Sequence, residues 1–178
     1  NRSTMPTLSC NAEPSLARLC YSLVRWLKPR RVLETGVAYG ITSSVLLQAL
    51  ERNGRGTLDS IDIPPLLDSH GSLTGIAIPA DLRNRWRIHL GASRSRLPSL
   101  VRKLGKIDLF VSDSLNIFTL QRYEYGIVKN HLAEPGAMVF NNISPRFQER
   151  MKKAYPSSLA SIWQKDKPGH ATGLHLNA

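Results

Sequence analysis

The chain has 178 residues, of which 42% are hydrophobic and 21% charged, and its 24 lysines and arginines outweigh 13 acidic residues to give a formal net charge of +11. This length and composition fit one globular domain with a substantial core and exclude disorder as the default state. No stretch approaches the roughly 20 apolar residues of a membrane span, and Cys10 and Cys20 are too few for a disulfide framework. We therefore expect one cytoplasmic domain over residues 1–178, with residues 1–28 as an N-terminal helical segment packed on it.

The first half of the chain predicts helices and strands in alternation. Segments in which apolar residues recur every three or four positions predict helices, and segments in which they run together predict strands. In chain order, the sequence predicts helix 13–27, strand 31–35, helix 42–53, strand 57–63, strand 87–90 and helix 97–104. The connection over residues 66–78 exceeds ordinary loop lengths, and residues 79–84 favour one or two helical turns.

The second half continues the alternation and ends in two strands. The sequence predicts strand 107–112, helix 118–132, strand 136–140, helix 147–154 and strands 160–164 and 172–176. Pro168-Gly169 predicts a type II turn that pairs the last two strands antiparallel. Strands that alternate with helices predict an α/β fold, in which a parallel sheet is covered by helices on both faces.

The segment after the first strand is the first candidate ligand site, because ligands of doubly wound sheets bind beyond the carboxyl ends of the strands. Gly36 allows a tight turn there, and Gly40 allows close approach of backbone. The segment lacks G-x-G-x-x-G and a P-loop lysine, which disfavours a phosphate-cradling nucleotide site. Glu34 gives the same indication, since its carboxylate would repel a pyrophosphate and suit a cationic or hydroxyl-rich ligand.

Asp62 ends the second predicted strand. An acidic residue at this position commonly accepts hydrogen bonds from the two ribose hydroxyls of an adenosine. Alternatively, Asp62 caps the turn at Pro64-Pro65. The glycine-containing turn after the first strand and the Gly-Ala-Ser sequence after the third favour the ligand-binding role.

A family resemblance follows from these motifs. The spacing Glu34-x-Gly36-x-x-x-Gly40 resembles the first motif of class I S-adenosylmethionine-dependent methyltransferases. Residues 29–143 resemble a bacterial group of small methyltransferases, through the ordered segments IDIPP, ADLRNRWRIHLGASRSRLPSL, IDLFVSDSLN and GAMVFNNI. The resemblance implies a Rossmann-like, doubly wound, mostly parallel sheet of about seven strands with an antiparallel last strand. It also implies S-adenosylmethionine as the cofactor.

The resemblance further implies which residues contact that cofactor. Glu34, Gly36 and Tyr39 are expected near its methionine part. Asp62 is expected near the ribose, and Ala92-Ser93 near the adenine. The full expected set is Glu34, Gly36, Ala38, Tyr39, Gly40, Asp62, Ile63, Ala92, Ser93 and Asp113.

The chain departs from its relatives after the fourth and fifth strands. Relatives tend to show His-Asp-Ser-x-His after the fourth strand, where this chain has Ser112 to Asn116, and Asp-Asp or Asp-Asn after the fifth. In similar catechol O-methyltransferase-like enzymes, the positions that correspond to Asp113, Asn141 and Asn142 bind magnesium. Here they supply one formal negative charge, so no functional divalent metal is expected. A polar cap of the strand is the favoured interpretation of Asn141-Asn142.

Asp113 is the best candidate for a catalytic general base. The five histidines do not replace the missing ones, because they are scattered in the sequence. His89 lies within a predicted strand and is expected to be structural. Tyr123 and Tyr125 are expected to pack a helix.

These features predict S-adenosylmethionine-dependent methyl transfer to an oxygen or nitrogen atom of a small molecule. The long connection would then supply a lid or acceptor wall, although the same residues would suit packing under the sheet edge. The apolar residues concerned are Leu66, Leu67, Leu73, Ile76 and Ile78.

Two other functions stay open. The neutral residues after the fourth and fifth strands favour a homologue that has lost catalysis and acts by binding. The net charge motivates an RNA methyltransferase. However, the basic residues are scattered in the sequence, and their densest cluster, residues 83–106, has no aromatic ladder for stacking bases. We therefore favour a solvated basic surface over a nucleic-acid partner.

Overall fold

The chain forms one seven-stranded sheet with helices on both faces. The structure, a computed structural model, describes residues 14–64, 71–163 and 171–177. The strands are β1 (Arg31–Thr35), β2 (Thr57–Asp62), β3 (Trp86–Leu90), β4 (Ile107–Ser112), β5 (Leu132–Phe140), β6 (Leu159–Trp163) and β7 (Ala171–Asn177). The helices are α1 (Pro14–Leu27), α2 (Ile41–Arg52), α3 (Ser93–Leu104), α4 (Phe118–Val128) and α5 (Pro145–Ala154), with short 3-10 helices at Ala80–Arg85 and Lys129–His131.

The strand order is β3-β2-β1-β4-β5-β7-β6. Strands β1 to β5 pair in parallel, whereas β7 pairs antiparallel with both β5 and β6. The prediction of a doubly wound, mostly parallel sheet with an antiparallel last strand is confirmed. The order reverses at β1, which pairs with β2 on one side and β4 on the other, so the ligand-binding crevice of this fold lies at the ends of β1 and β4.

Two apolar clusters hold the layers together. Side chains alternate between the faces of a strand, so Val32 and Leu33 of β1 enter different clusters. The Val32 cluster includes α1 and α2, and the Leu33 cluster includes α3, α4 and α5. Both faces of the sheet are therefore covered. In the described part of the chain, no helix is long and apolar enough to cross a membrane.

Two predicted helix boundaries are wrong by four residues. Helix α3 begins at Ser93 rather than at residue 97, with Pro98 inside it. Pro98 has no N–H for the carbonyl of Arg94, four residues earlier, but the hydroxyl of Tyr123 donates to that carbonyl at 3.0 Å. This tertiary hydrogen bond lets the helix run through the proline. Likewise, Leu132 does not end α4 but begins β5, where it pairs with Ile107.

The last two strands pair antiparallel, as predicted. The predicted turn at residues 168–169 lies outside the described residues.

Helix α1 contributes to the core, and we propose that it is an integral part of the domain. Its Leu16, Cys20 and Val24 have no exposed surface and lie in the same cluster as α2. Leu16→Ala should lower the free energy of unfolding by roughly 2–5 kcal/mol, measured by urea denaturation. Trp26→Ala, at a side chain that is 67% exposed on the same helix, is the control and should change it by no more than about 0.5 kcal/mol. Equal effects of the two variants would contradict the proposal.

Candidate functional site

The turn after β1 packs directly on the backbone that follows β4. Gly36 has φ 85°, and a Cβ added there would lie 2.4 Å from the carbonyl oxygen of Asp113. Gly40 has φ 88°, and a Cβ added there would lie 2.8 Å from the Cα of Gly75. Neither distance accommodates a side chain. The predicted roles of these two glycines, a tight turn and a close approach of backbone, are therefore both present.

Glu34 lies beneath this turn with no exposed surface. Its Oε2 accepts hydrogen bonds from the hydroxyls of Ser43 at 2.6 Å and Ser60 at 2.8 Å, while Oε1 has no hydrogen-bond partner in the described part of the chain. Burial raises the pKa of Glu34 to about 8, although the two serine hydroxyls act in the opposite direction. The argument from a negative charge on Glu34 therefore fails, because a carboxyl with this pKa is mostly neutral at pH 7.

Asp62 is half-buried at the end of β2, next to the turn after β1. Its Oδ2 accepts from the backbone N–H of Ala38 at 2.7 Å, and its Oδ1 accepts from the N–H of Ile63 at 2.9 Å. A carboxylate oxygen can accept more than one hydrogen bond, so each still has acceptor capacity. The Ile63 side chain beside it is 61% exposed. The carboxylate is thus fixed in orientation at the edge of the crevice.

The segment after β3 leads into α3 at the same edge. The N–H of Gly91 donates to the carbonyl of Asp62 at 2.8 Å, which ties the ends of β2 and β3 together. Ala92 is the N-cap residue of α3, and Ser93 is its first residue. Both are half-buried. The hydroxyl of Ser93 hydrogen-bonds to Glu124.

Glu124 of α4 is a buried carboxyl that the sequence analysis missed. It accepts hydrogen bonds from the hydroxyls of Ser112 at 2.7 Å, Thr35 at 3.2 Å and Ser114 at 3.4 Å, in addition to Ser93. Burial is the largest influence and raises its pKa, while these hydroxyls oppose the shift. The sequence signal for Glu124 was its position on α4. Val128, four residues later, and the adjacent Tyr125 both lie on the buried side of this helix. An acid on the buried side of a helix indicates a satisfied buried carboxyl.

Asp113 lies on the loop after β4, with both carboxylate oxygens engaged. Oδ2 accepts from the Thr42 hydroxyl at 2.9 Å, and Oδ1 accepts from the Asn141 side-chain amide at 2.7 Å. Asn141 therefore presents an N–H donor to Asp113 where a metal site would need another oxygen. With its amide oriented to suit its neighbours, Asn116 also bridges the carbonyl of Asn141 and the side-chain amide of Asn142.

These contacts form a connected polar network after β4 and β5. In residues 14–64, 71–163 and 171–177, no group of three or more histidines, cysteines and acids could hold a metal ion. The metal prediction remains a prediction, because only an experiment on metal dependence tests it.

The three described histidines contribute to structure. His89 Nε2 lies 2.8 Å from Asp59 of β2, so its predicted structural role is confirmed. His131 Nδ1 contacts the carbonyl of Gly105, and His175 packs edge-on against the ring of Tyr125. Tyr125 packs α4, as predicted. His70 and His170 lie outside the described residues.

The described part of the long connection crosses the turn after β1. The N–H of Gly75 donates to the carbonyl of Ala38, and that of Ala77 to the carbonyl of Tyr39, both at 2.9 Å. Tyr39 itself is half-buried. The segment therefore lies over the turn that is expected to hold the cofactor.

The apolar residues of this connection divide between surface and core. Leu73 and Ile76 are 41% and 56% exposed and are available for a wall. Ile78 is buried in the Val32 cluster, so it packs the core instead. Leu66 and Leu67 lie outside the described residues.

Comparison with known proteins identifies the family of the chain. Residues 33–143 match a family described as a methyltransferase domain. Because the match covers more than half of the chain, the protein belongs to the methyltransferase domain family. The resemblance to class I S-adenosylmethionine-dependent methyltransferases is confirmed. Comparison with curated proteins gives no significant match.

Solved structures share the fold. The O-methyltransferase TomG from Streptomyces achromogenes, in complex with S-adenosylmethionine, is 19% identical, with a TM-score of 0.71 over 94% of this chain and 82% of that one. The O-methyltransferase from Bacillus cereus, in complex with S-adenosylhomocysteine, is 14% identical, with a TM-score of 0.73 over 94% and 83% of the chains. Cofactor-bound Rv0187 from MTB is 16% identical, with a TM-score of 0.74 over 98% and 84%.

The raised pKa of Glu34 predicts a pH dependence of stability. A carboxyl whose folded pKa exceeds its unfolded value stabilises the fold most at low pH, and that contribution is lost as the pH rises from about 4.5 through about 8. The unmodified protein should therefore lose unfolding free energy when the pH rises from 5.5 to 8.5. Glu34→Gln should make this loss smaller by at least ~1.4 kcal/mol, since one pKa unit corresponds to this amount.

Urea denaturation at the two pH values measures the loss, with exposed Glu149→Gln as the control. The assignment is wrong if Glu34→Gln keeps the pH dependence of the unmodified protein.

Proposed function

We propose that the protein binds S-adenosylmethionine at the carboxyl ends of β1, β2 and β3 and uses it for methyl transfer. The observation that carries this proposal is the position of Asp62, whose carboxylate is fixed by two backbone amides and keeps acceptor capacity for two ribose hydroxyls. The expected neighbours fit the rest of the cofactor. Exposed Ile63 and the Ala92-Ser93 start of α3 suit the adenine, and the turn from Gly36 to Gly40 suits the methionine part.

The chemistry follows from what these residues can do. When bound, S-adenosylmethionine supplies an electrophilic methyl group, and the protein holds the acceptor in line with it. Thr42 and Asn141 fix the orientation of Asp113, whose oxygens keep further acceptor capacity. The three described histidines contact other residues. We infer that Asp113 orients the loop after β4 and that the acceptor atom needs little help with deprotonation, because a carboxylate is a weak general base at neutral pH. A phenolate, a carboxylate or a neutral amine meets this condition.

The acceptor would lie beside the loop between β4 and α4. Leu115 and Ile117 on this loop are 68% and 51% exposed, although both are large and apolar. They follow Asp113 by two and four residues, so they suit an apolar wall next to the transferred methyl group. The similar solved proteins TomG and that from Bacillus cereus are O-methyltransferases, which favours an oxygen acceptor.

Cofactor binding is tested by thermal unfolding with S-adenosylhomocysteine. A ligand at 100 times its dissociation constant adds ~2.7 kcal/mol of stability if it binds only the folded state. We expect a clear rise in melting temperature, reduced by Asp62→Asn. Asp81→Asn, the same change at an exposed residue of the 3-10 helix, is the matched control and should keep the full rise. A folded, unmodified protein that shows no rise at millimolar ligand would exclude the proposed cofactor.

A homologue that binds the cofactor without catalysis is the second candidate. It is favoured by the network that engages Asp113 and by the neutral residues Ser112, Asn116, Asn141 and Asn142. Binding of S-adenosylhomocysteine without turnover on any of a panel of phenols, carboxylic acids and amines would favour it over the enzyme.

We also expect that methyl transfer does not depend on magnesium. Magnesium needs octahedral oxygen ligation anchored by carboxylate charge, and the site offers one carboxylate whose partner is an amide N–H. Chelation should leave the activity of the unmodified protein within about twofold. Asn141→Asp restores a second carboxylate and should bind magnesium more tightly, measured by calorimetric titration. Activity that disappears with chelator and returns with micromolar magnesium in the unmodified protein would contradict this expectation.

A further inference from the structure

A cleft between α4 and α5 carries a concentration of positive charge that the proposed chemistry does not use. It encloses about 260 Å³ and is lined by Phe118, Arg122, Arg146, Glu149, Arg150 and Lys153. We call it the α4–α5 cleft. Four of its six lining residues are basic and one is acidic. Its walls therefore produce a local positive potential.

The cations of the cleft are available for a ligand. In the described residues, Arg122, Arg146, Arg150 and Lys153 form no ion pair. The Arg146 guanidinium lies 4.6 Å from the centre of the Phe118 ring, and that of Arg122 lies 5.9 Å from it. A cation–π contact holds a guanidinium in place and leaves its charge and N–H donors free. Two oriented guanidiniums are a suitable receptor for a carboxylate or a phosphate.

One end of the α4–α5 cleft lies next to the loops that follow β4 and β5. Helix α4 starts directly after the loop that bears Asp113, and α5 starts directly after the loop that bears Asn141. Gln121 joins the two sides, since its Oε1 accepts from the N–H of Ser144 at 3.0 Å and its Nε2 donates to the carbonyl of Asn142 at 3.3 Å. A molecule whose reacting atom lies beside Asp113 can therefore extend into the cleft.

The surface around the cleft is also basic, so an extended polyanion is the alternative ligand. Helices α3 and α5 carry four exposed basic residues each, and the only exposed acid on α3, α4 and α5 is Glu149. The positive charge is therefore less scattered than the sequence indicated. The cleft, however, combines these charges with a concave shape and a link to the loops of the site. These features favour a small anion over an extended polymer.

We propose that the α4–α5 cleft binds the anionic group, a carboxylate or a phosphate, of the methyl acceptor. This proposal rests on the proposed function and specifies its substrate class: small molecules that carry an acid at some distance from the methylated atom. Arg122 and Arg146 act as specificity-determining residues, and Arg150 and Lys153 add positive potential.

The test is a nuclear magnetic resonance titration with benzoate, phenyl phosphate and neutral benzamide, with and without S-adenosylhomocysteine. We expect at least one anion to bind at least 10-fold more tightly than benzamide, with shifts at Phe118 and in α5. The tighter anion identifies the acid. Arg122→Gln/Arg146→Gln should weaken that binding at least 10-fold. Arg146→Lys, which keeps the charge but loses the planar guanidinium, should weaken it less.

The matched control is Arg102→Gln/Lys103→Gln, which removes two exposed charges from α3 and should alter binding by less than twofold. Equal weakening by both double variants, for the anions or for a 20-nucleotide RNA titrated in parallel, would overturn the proposal in favour of a diffuse polyanion-binding surface. If S-adenosylhomocysteine binds and neither anion binds better than benzamide, the cleft proposal fails and the proposed function stands. If S-adenosylhomocysteine does not bind, the proposed function fails, while the titrations without it still decide whether the cleft binds anions.

Discussion

The close approach of the turn after β1 to the backbone after β4 is the constraint on which the site depends. Only glycine fits at residue 36, because a Cβ there would overlap the carbonyl of Asp113. This approach brings the segments after β1 and β4 into contact in the middle of the sheet. The same turn supplies the Ala38 N–H that orients Asp62. Strand order, the glycine and the orientation of the acid are therefore parts of one arrangement.

Two buried carboxyls, Glu34 and Glu124, support this arrangement from below. Each is surrounded by serine or threonine hydroxyls, and burial raises the pKa of both. The hydroxyls hydrogen-bond to Oε2 of Glu34 and to both oxygens of Glu124 without a buried counter-charge, so the structure avoids the larger cost of a buried ion pair. The carboxylates at the carboxyl ends of the strands are then Asp62 and Asp113. A group of exposed basic side chains lies elsewhere, on the outer surface of α3, α4 and α5.

The sequence predicted those elements whose bounds depend only on neighbouring residues in the chain. The bounds of β1 and β4 match their predictions, since short apolar runs between polar residues leave little ambiguity. The start of α3 was missed because a hydrogen bond from Tyr123, distant in sequence, supports the helix around Pro98. Glu124 was missed because its partners come from four other segments. The basic surface was missed for a similar reason, since only the fold brings α3, α4 and α5 into one layer.

The central claim is that the crevice beside β1 and β2 holds S-adenosylmethionine, and a crystal structure of the complex with S-adenosylhomocysteine tests it most directly. The account predicts that both ribose hydroxyls lie within hydrogen-bonding distance of the Asp62 carboxylate. It also predicts that the adenine contacts Ile63 and Ala92. A ligand bound elsewhere, or a ribose that does not contact Asp62, would contradict the account.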